Sequence, residues 1–158
     1  MRIEVNIRAQ RLQVLDDQRI IRDYLVSTAK NGAGELLGSE QTPRGRHIIR
    51  AKIGQGCPNN TVFIGRRPTG EIYTPQLKQL YPQRDWILTR IFWLSGLEVG
   101  KNRLGSVDTM RRYVYIHGSP DETIMGMPGS RGCVRMHNAD LIDLFELIQV
   151  GTPLNIFE

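Results

Sequence analysis

Cysteine is scarce in this sequence: Cys57 and Cys133 are the only two among 158 residues. Two cysteines do not make a disulfide framework, so stability has to come from a buried core, and a reduced thiol is expected at each site. Histidine is scarce too, with three in the chain. A zinc site built from His117, Cys133 and His137, with Cys57 or His47, would have one close ligand pair and no second one, so no metal is expected. Aromatic residues make up 7% of the chain. They barely touch the basic clusters Arg44/Arg46/Arg50/Lys52 and Lys101/Arg103/Arg111/Arg112. Nucleic-acid grooves interleave aromatic rings with positive charge, so these clusters read as solvated faces and nucleic acid is not an expected partner. No stretch is long and apolar enough to span a membrane. The opening "MRIEVNIRAQ" alternates, whereas a signal peptide needs an apolar run of about 7–15 residues. With Met1 as the native start, the expected location is the cytoplasm; an export segment ahead of residue 1 would make it the periplasm.

The length suggests one domain over residues 1–158. The formal net charge of +5 favours anionic partners, including carboxylate-bearing small molecules. Ile3, Val5 and Ile7, then Leu12 and Val14, then "RIIRDYLVST", predict three strands over 3–7, 11–15 and 19–27, joined as a meander. "AKNGAGELLGSEQTPRG" predicts a long irregular segment. Further strands are expected at 47–53, in "TVFIG", over 113–118 and in the closing "LNIF", and "DWILTRIFWL" at 85–94, apolar on both faces, is expected to be buried. One helix is expected over 139–149, with Leu141, Ile142, Phe145 and Ile148 on one face and Asn138 as its cap. The sum is a mainly β sandwich or barrel with one main helix near the C-terminus.

Cys133 lies in "GSRGCVRMHN", sixteen residues beyond the pair His117-Gly118. As a nucleophile it needs a base or a positive charge close by. His117 ends a predicted strand, and Arg131 and Arg135 flank the thiol and favour thiolate. Gly132 bears no side chain, so a carbonyl can approach the backbone N–H groups there, and two such groups suit a developing oxyanion. As a small buried residue, Cys133 would fill core; its glycine and polar neighbours point instead to a loop.

"IHG" followed by "SRGCVR" resembles the signature of the L,D-transpeptidase catalytic domain, the YkuD fold: His-Gly, a spacer, then Ser or Thr, His, Gly, Cys, an apolar residue, and Asn or Arg. "TPRG" at 42–45 is similar to the family's Thr-Pro-x-Gly, and the opening strands match the start of such a domain. The family's second motif histidine is Arg131 here, and arginine cannot act as a base. The resemblance implies a YkuD-type β fold with short helical pieces besides the main helix. It implies Cys133 as nucleophile, His117 as base, the Gly118 carbonyl as the group orienting His117, and the Gly132 and Cys133 N–H groups as oxyanion hole. Arg135, Arg131 and Ser130 fall on the substrate side, with no metal or cofactor. The implied reaction cleaves the bond between an L-centre diamino acid and D-Ala in peptidoglycan tetrapeptide stems, through a thioester. A cytoplasmic setting favours an L,D-carboxypeptidase acting on soluble muropeptides in murein recycling. The alternatives are an extracytoplasmic L,D-transpeptidase making 3-3 cross-links and a non-catalytic muropeptide-binding domain. Acylation of Cys133 by carbapenem-type β-lactams is also implied.

Overall fold

The alternating N-terminal residues build an antiparallel meander of β1 (Arg2–Asn6), β2 (Arg11–Asp16) and β3 (Arg19–Leu25) in the computed structural model, which describes residues 1–158. Every second side chain, Ile3, Val5, Leu12 and Val14, is wholly buried, as a half-buried strand requires. After β4 (Gly45–Ile53) come the hairpin β5 (Thr61–Ile64) and β6 (Arg67–Ile72), a short helix α1 (Pro75–Leu80), and the long strand β7 (Ile87–Gly96). The chain continues as β8 (Tyr115–Ser119), β9 (Val134–His137), α2 (Asn138–Leu147) and β10 (Pro153–Phe157).

All ten strands belong to one sheet that curls as a half-barrel, in the order β3-β2-β1-β10-β4-β7-β5-β6, with β8 and then β9 branching from β7. Two pairings are parallel, β1 with β10 and β8 with β9. The branch occurs because β7 changes neighbours along its length. Its register against β8 slips between Leu88 and Ile91, around Thr89, whose φ is +76°. Such a bulge bends a strand and redirects its side chains.

The mainly β architecture is as expected, with particular corrections. The third strand stops at Leu25; Ser27 instead exchanges backbone hydrogen bonds with Arg135 at 2.9 Å each way. The glycine-rich segment is irregular but pinned, because buried Thr42 accepts the Ala29 N–H at 2.9 Å and donates to Gly132 O at 3.0 Å. β6, α1 and β9 had no counterpart in the sequence reading. β6 is polar and exposed, and α1 buries nothing, although Thr74 caps it by accepting the Leu77 N–H. The predicted cap Asn138 is the first residue of α2 and does not cap it. Its amide accepts from Thr89 Oγ1 and donates to Asn60 Oδ1, each at 2.8 Å. Leu144, not Ile142, joins Leu141 and Phe145 on the buried face of α2. That face covers Phe92, Ile116, Val134 and Met136, and the Phe92 and Phe145 rings stand 5.3 Å apart.

Candidate active site

The site lies on the other face of β8 and β9. These strands pair with Ile116 opposite Val134 and His117 opposite Arg135. Successive strand residues point to opposite faces. Ile116, Val134 and Met136 therefore enter the core under α2, and Tyr115, His117 and Arg135 face away from it. Cys133 joins them one residue before β9. A parallel pair needs a crossover, and residues 120–133 supply it; this is why the His and the Cys stand sixteen residues apart in sequence yet side by side, on one strand and at the entry to its neighbour. Gly118 must be glycine for the helix to sit here, because a Cβ would lie 2.1 Å from Asn138 Oδ1 and 2.6 Å from Leu88 O.

His117 is wholly buried. Its Nδ1 lies 2.7 Å from Gly118 O. A carbonyl only accepts, so Nδ1 carries the proton and Nε2 keeps its lone pair. Nε2 is buried and has no partner. Burial pushes the imidazole pKa below its ordinary value, outweighing the opposing influences of Asp85 and the Gly118 carbonyl. The ring is a neutral base, held in one tautomer.

The Cys133 thiol is engaged elsewhere. Its Sγ accepts the Tyr115 N–H at 3.3 Å and donates to Tyr113 O at 3.5 Å. The residue is half-buried in accessible area, but protein surrounds the sulfur closely enough that desolvation pushes the thiol up to about 12. The Tyr115 N–H and the charges of Arg135 and Arg112 pull the other way, and Asp85 pushes in the same direction as burial. Arg135 favours thiolate as expected, and Arg112 does so too, but neither offsets the burial of the sulfur. Burial wins, Arg135 is paired with Asp85 at 3.1 Å, and Arg131 reaches out to Gln83 O. The resting pair is a neutral thiol and a neutral imidazole.

Two further expectations change. Ser130, read as substrate-binding, is 4% exposed and turned inward. Its hydroxyl donates to Cys133 O and accepts the Gly132 N–H at 3.2 Å, so it shapes the turn that carries Cys133. Gly132, whose φ is +133°, has its N–H committed to that hydroxyl. The Cys133 N–H makes no hydrogen bond within the chain, so of the two expected oxyanion donors it is the free one.

A cleft of about 490 Å³ opens over Cys133, walled by Arg66, Asp85, Arg112, Tyr113, Tyr115 and Arg131 among others. Arg131, exposed, lines the cleft. Arg135 is close by, but one edge of its guanidinium holds Asp85 and another donates to Gly129 O at 3.0 Å. Sequence reading missed Arg112, which it placed on a solvated face. Arg112 instead donates to the carbonyls of Gly34, Glu35 and Gln41 and clamps the 34–41 segment beside Gly132. It also missed Asp85, which has no neighbouring motif. No group of three or more His, Cys, Asp or Glu side chains converges as a metal site. His47 is spent on Gly45 O and Thr109 Oγ1, each at 2.9 Å.

Comparison with known proteins agrees with this geometry. Residues 1–156 match the family model described as YkuD, L,D-transpeptidase catalytic domain. A putative L,D-transpeptidase YkuD of Bacillus licheniformis is 25% identical over 98% of this chain and 64% of its own length. The Bacillus subtilis protein of that name is 33% identical over 60% of this chain and 47% of its own. The chain thus spans between about half and two thirds of the length of these relatives. Among solved structures, L,D-transpeptidase 3 of Mycobacterium tuberculosis, in complex with a faropenem-derived adduct, shares the fold. Its TM-score is 0.60 at 13% identity, over 99% of this chain and 59% of that one. The His-Gly and Gly-Cys segments, the parallel strands that bring them together and the match over nearly the whole chain agree: this chain belongs to the YkuD family of L,D-transpeptidase catalytic domains.

Proposed function

We propose that Cys133 is the acyl-transfer nucleophile of a peptidoglycan enzyme that cleaves the bond between the L-centre diamino acid and D-Ala of tetrapeptide stems. The observation that carries this reading is the His117 imidazole. Its Nδ1–H is locked on Gly118 O, and its Nε2 lone pair is buried without a partner on the face that bears Cys133. An unpartnered buried nitrogen costs free energy, so its persistence fits a group kept for proton transfer.

Rotation about the single χ1 torsion of Cys133 carries Sγ from the Tyr113–Tyr115 backbone toward His117. Nε2 then takes the thiol proton as sulfur attacks the scissile carbonyl. The Cys133 N–H receives the developing oxyanion, with the Arg112 charge nearby. Collapse of the tetrahedral adduct breaks the C–N bond. The proton on Nε2 passes to the departing amine of D-Ala, and a thioester remains on Cys133. Nε2 then deprotonates the acceptor that attacks the thioester. We propose water as that acceptor and the cytoplasm as the setting, where soluble tetrapeptide fragments are the substrate at hand. The reaction is then an L,D-carboxypeptidase step of murein recycling. An amine acceptor would make it a transpeptidase. Because a relative of this fold carries a faropenem-derived adduct, we also propose that β-lactams of that kind acylate Cys133.

Incubation with a soluble murein tetrapeptide, read by mass spectrometry with and without an amine acceptor, tests the reading. Release of D-Ala without added acceptor, abolished in Cys133→Ala, is the expected result. Dominant dimers or exchange products would replace hydrolysis by transpeptidation. An unchanged peptide, with folded protein that no β-lactam acylates, would leave only a binding domain.

A further inference from the structure

A second cavity lies on the far side of the Arg135–Asp85 pair from Cys133. It measures about 160 Å³ and is walled by Lys78, Arg84, Trp86, Pro120, Thr123 and Arg135 among others, with no carboxylate in the wall. That space equals the liquid volume of about five waters, enough for one small polar group and too little for a sugar chain. Lys78, from the last turn of α1, and the guanidinia of Arg84 and Arg135 face it from three separate elements.

The guanidinia are held in place from behind. Arg84 Nη1 lies 3.1 and 3.2 Å from the two Glu71 carboxylate oxygens, and the plane of Arg84 stacks on Tyr81 and Trp86, 4.4 and 5.2 Å from their ring centres. Arg135 is held through both terminal nitrogens, Nη2 donating to Asp85 Oδ1 at 3.1 Å and Nη1 to Gly129 O at 3.0 Å. Carboxylates outside the wall orient these forks and leave other N–H donors uncommitted. Planar forks so held suit a carboxylate, which accepts two parallel hydrogen bonds. Two more polar groups add to the deficit of acceptors. Trp86, in the wall, is 6% exposed and its Nε1–H has no partner; Ser119, next to wall residue Pro120, is 1% exposed and its hydroxyl has none. Buried donors without acceptors are uncommon, and a cluster of them beside positive charge asks for an anion.

We propose that this cavity is a carboxylate subsite for the peptide whose bond Cys133 attacks. This rests on the acyl-transfer reading above and adds the group that anchors the substrate. The Arg135–Asp85 pair separates the two cavities, Arg135 walling this one and Asp85 the cleft over Cys133, and Arg135 lies two residues along the chain from Cys133, which is about 7 Å of strand. A carboxylate on the residue that bears the scissile carbonyl, or on the next residue toward the C-terminus, spans that distance once the arginine side chain reaches toward it. Two carboxylates of a tetrapeptide qualify: the C-terminal carboxylate of D-Ala, and the side-chain carboxylate of a diaminopimelate at the third position.

The test uses Cys133→Ala, which cannot turn substrate over, and follows the indole ¹⁵N–¹H resonance of Trp86, assigned with Trp86→Phe. Titration with the diaminopimelate tetrapeptide should move that resonance. One of two amidated peptides, at the C-terminus or at the third-residue side chain, should fail to move it, and which one fails identifies the carboxylate. Lys78→Glu, an exposed change that leaves the core untouched, should weaken the apparent Kd about tenfold or more, and Lys78→Arg should restore it. A Trp86 resonance that never moves, or one that moves equally with acid and both amides, overturns the subsite. Acylation of wild-type Cys133 by the same peptide is measured in parallel. Acylation with an unmoved Trp86 removes the subsite and keeps the acyl-transfer reading; a moved Trp86 without acylation does the reverse.

Discussion

The two faces of the β8–β9 pair obey opposite rules. Under α2, Ile116, Val134 and Met136 are fully buried in an apolar cluster with Leu141, Leu144 and Phe145. On the other side stand Tyr115, His117, Cys133 and Arg135, with an unpartnered imidazole nitrogen and a thiol parked on backbone. One face is satisfied; the other carries polar groups whose needs the protein alone does not meet. The period of two along a strand makes this division possible within five consecutive residues. The core face supplies the rigidity that keeps the site face polar and poised.

Changes on the site face should abolish chemistry while sparing the fold. Cys133→Ala should end covalent acylation altogether, with a thermal midpoint close to wild type. His117→Ala should slow acylation by about 10²–10⁴-fold, the usual worth of a positioned base. Mass spectrometry of the acyl-enzyme checks both, and a His117→Ala protein acylated at the wild-type rate would break the comparison.

Changes on the core face should do the reverse. Leu141→Ala should cost about 2–5 kcal/mol, read by urea denaturation, with the folded fraction still acylated at Cys133. Gly118→Ala tests the boundary between the faces. Its Cβ would meet Asn138 Oδ1 and Leu88 O, both held in place, so the start of α2 must shift, at a cost of about 1–3 kcal/mol or more. That shift should also turn the Gly118 carbonyl away from His117, so this variant should lose stability and activity together.

Acid separates the faces by a second route. Burial lowers the His47 pKa to about 4. The unfolded chain binds the proton near pH 6.5 and the folded chain does not, so stability is full above about pH 6.5 and falls as pH drops toward 4. Two and a half pKa units correspond to about 3 kcal/mol. Urea midpoints between pH 7 and 4.5 should show this slope, and His47→Gln should flatten much of it. Buried His117 adds to the slope with the same sign. The smallest effect expected is that of Arg112→Lys. Lysine keeps the charge but loses the fork that holds three carbonyls, so acylation should slow by several-fold, with an upward shift in the pH at which Cys133 is alkylated.

Much of this molecule was legible in its residues. The meander, the buried helix and the His-Gly and Gly-Cys segments follow from alternation, helical spacing and a resemblance tied to specific residues. Where reading failed, it failed for physical reasons. α1 and β6 bury little and carry no periodic signal. Asn138 has the chemistry of a cap, but Thr89 and Asn60, distant in sequence, claim its side chain. Ser130 has a hydroxyl suited to a substrate, but the turn it closes uses both sides of it. Arg112 looked like one of a run of surface charges, and only the fold brings the 34–41 carbonyls around it.

The sequence by itself marked the two segments that meet, His117-Gly118 at the end of a strand and Cys133 in a glycine-flanked loop sixteen residues on; the strand β9 and its parallel pairing with β8 came only with the fold. Tertiary structure alone decided their state. Burial makes the thiol and imidazole neutral, Asp85 occupies Arg135, and Ser130 closes one oxyanion donor. Desolvation and pairing depend on what surrounds an atom in three dimensions, and those surroundings come from segments as far apart as residues 34, 85 and 133.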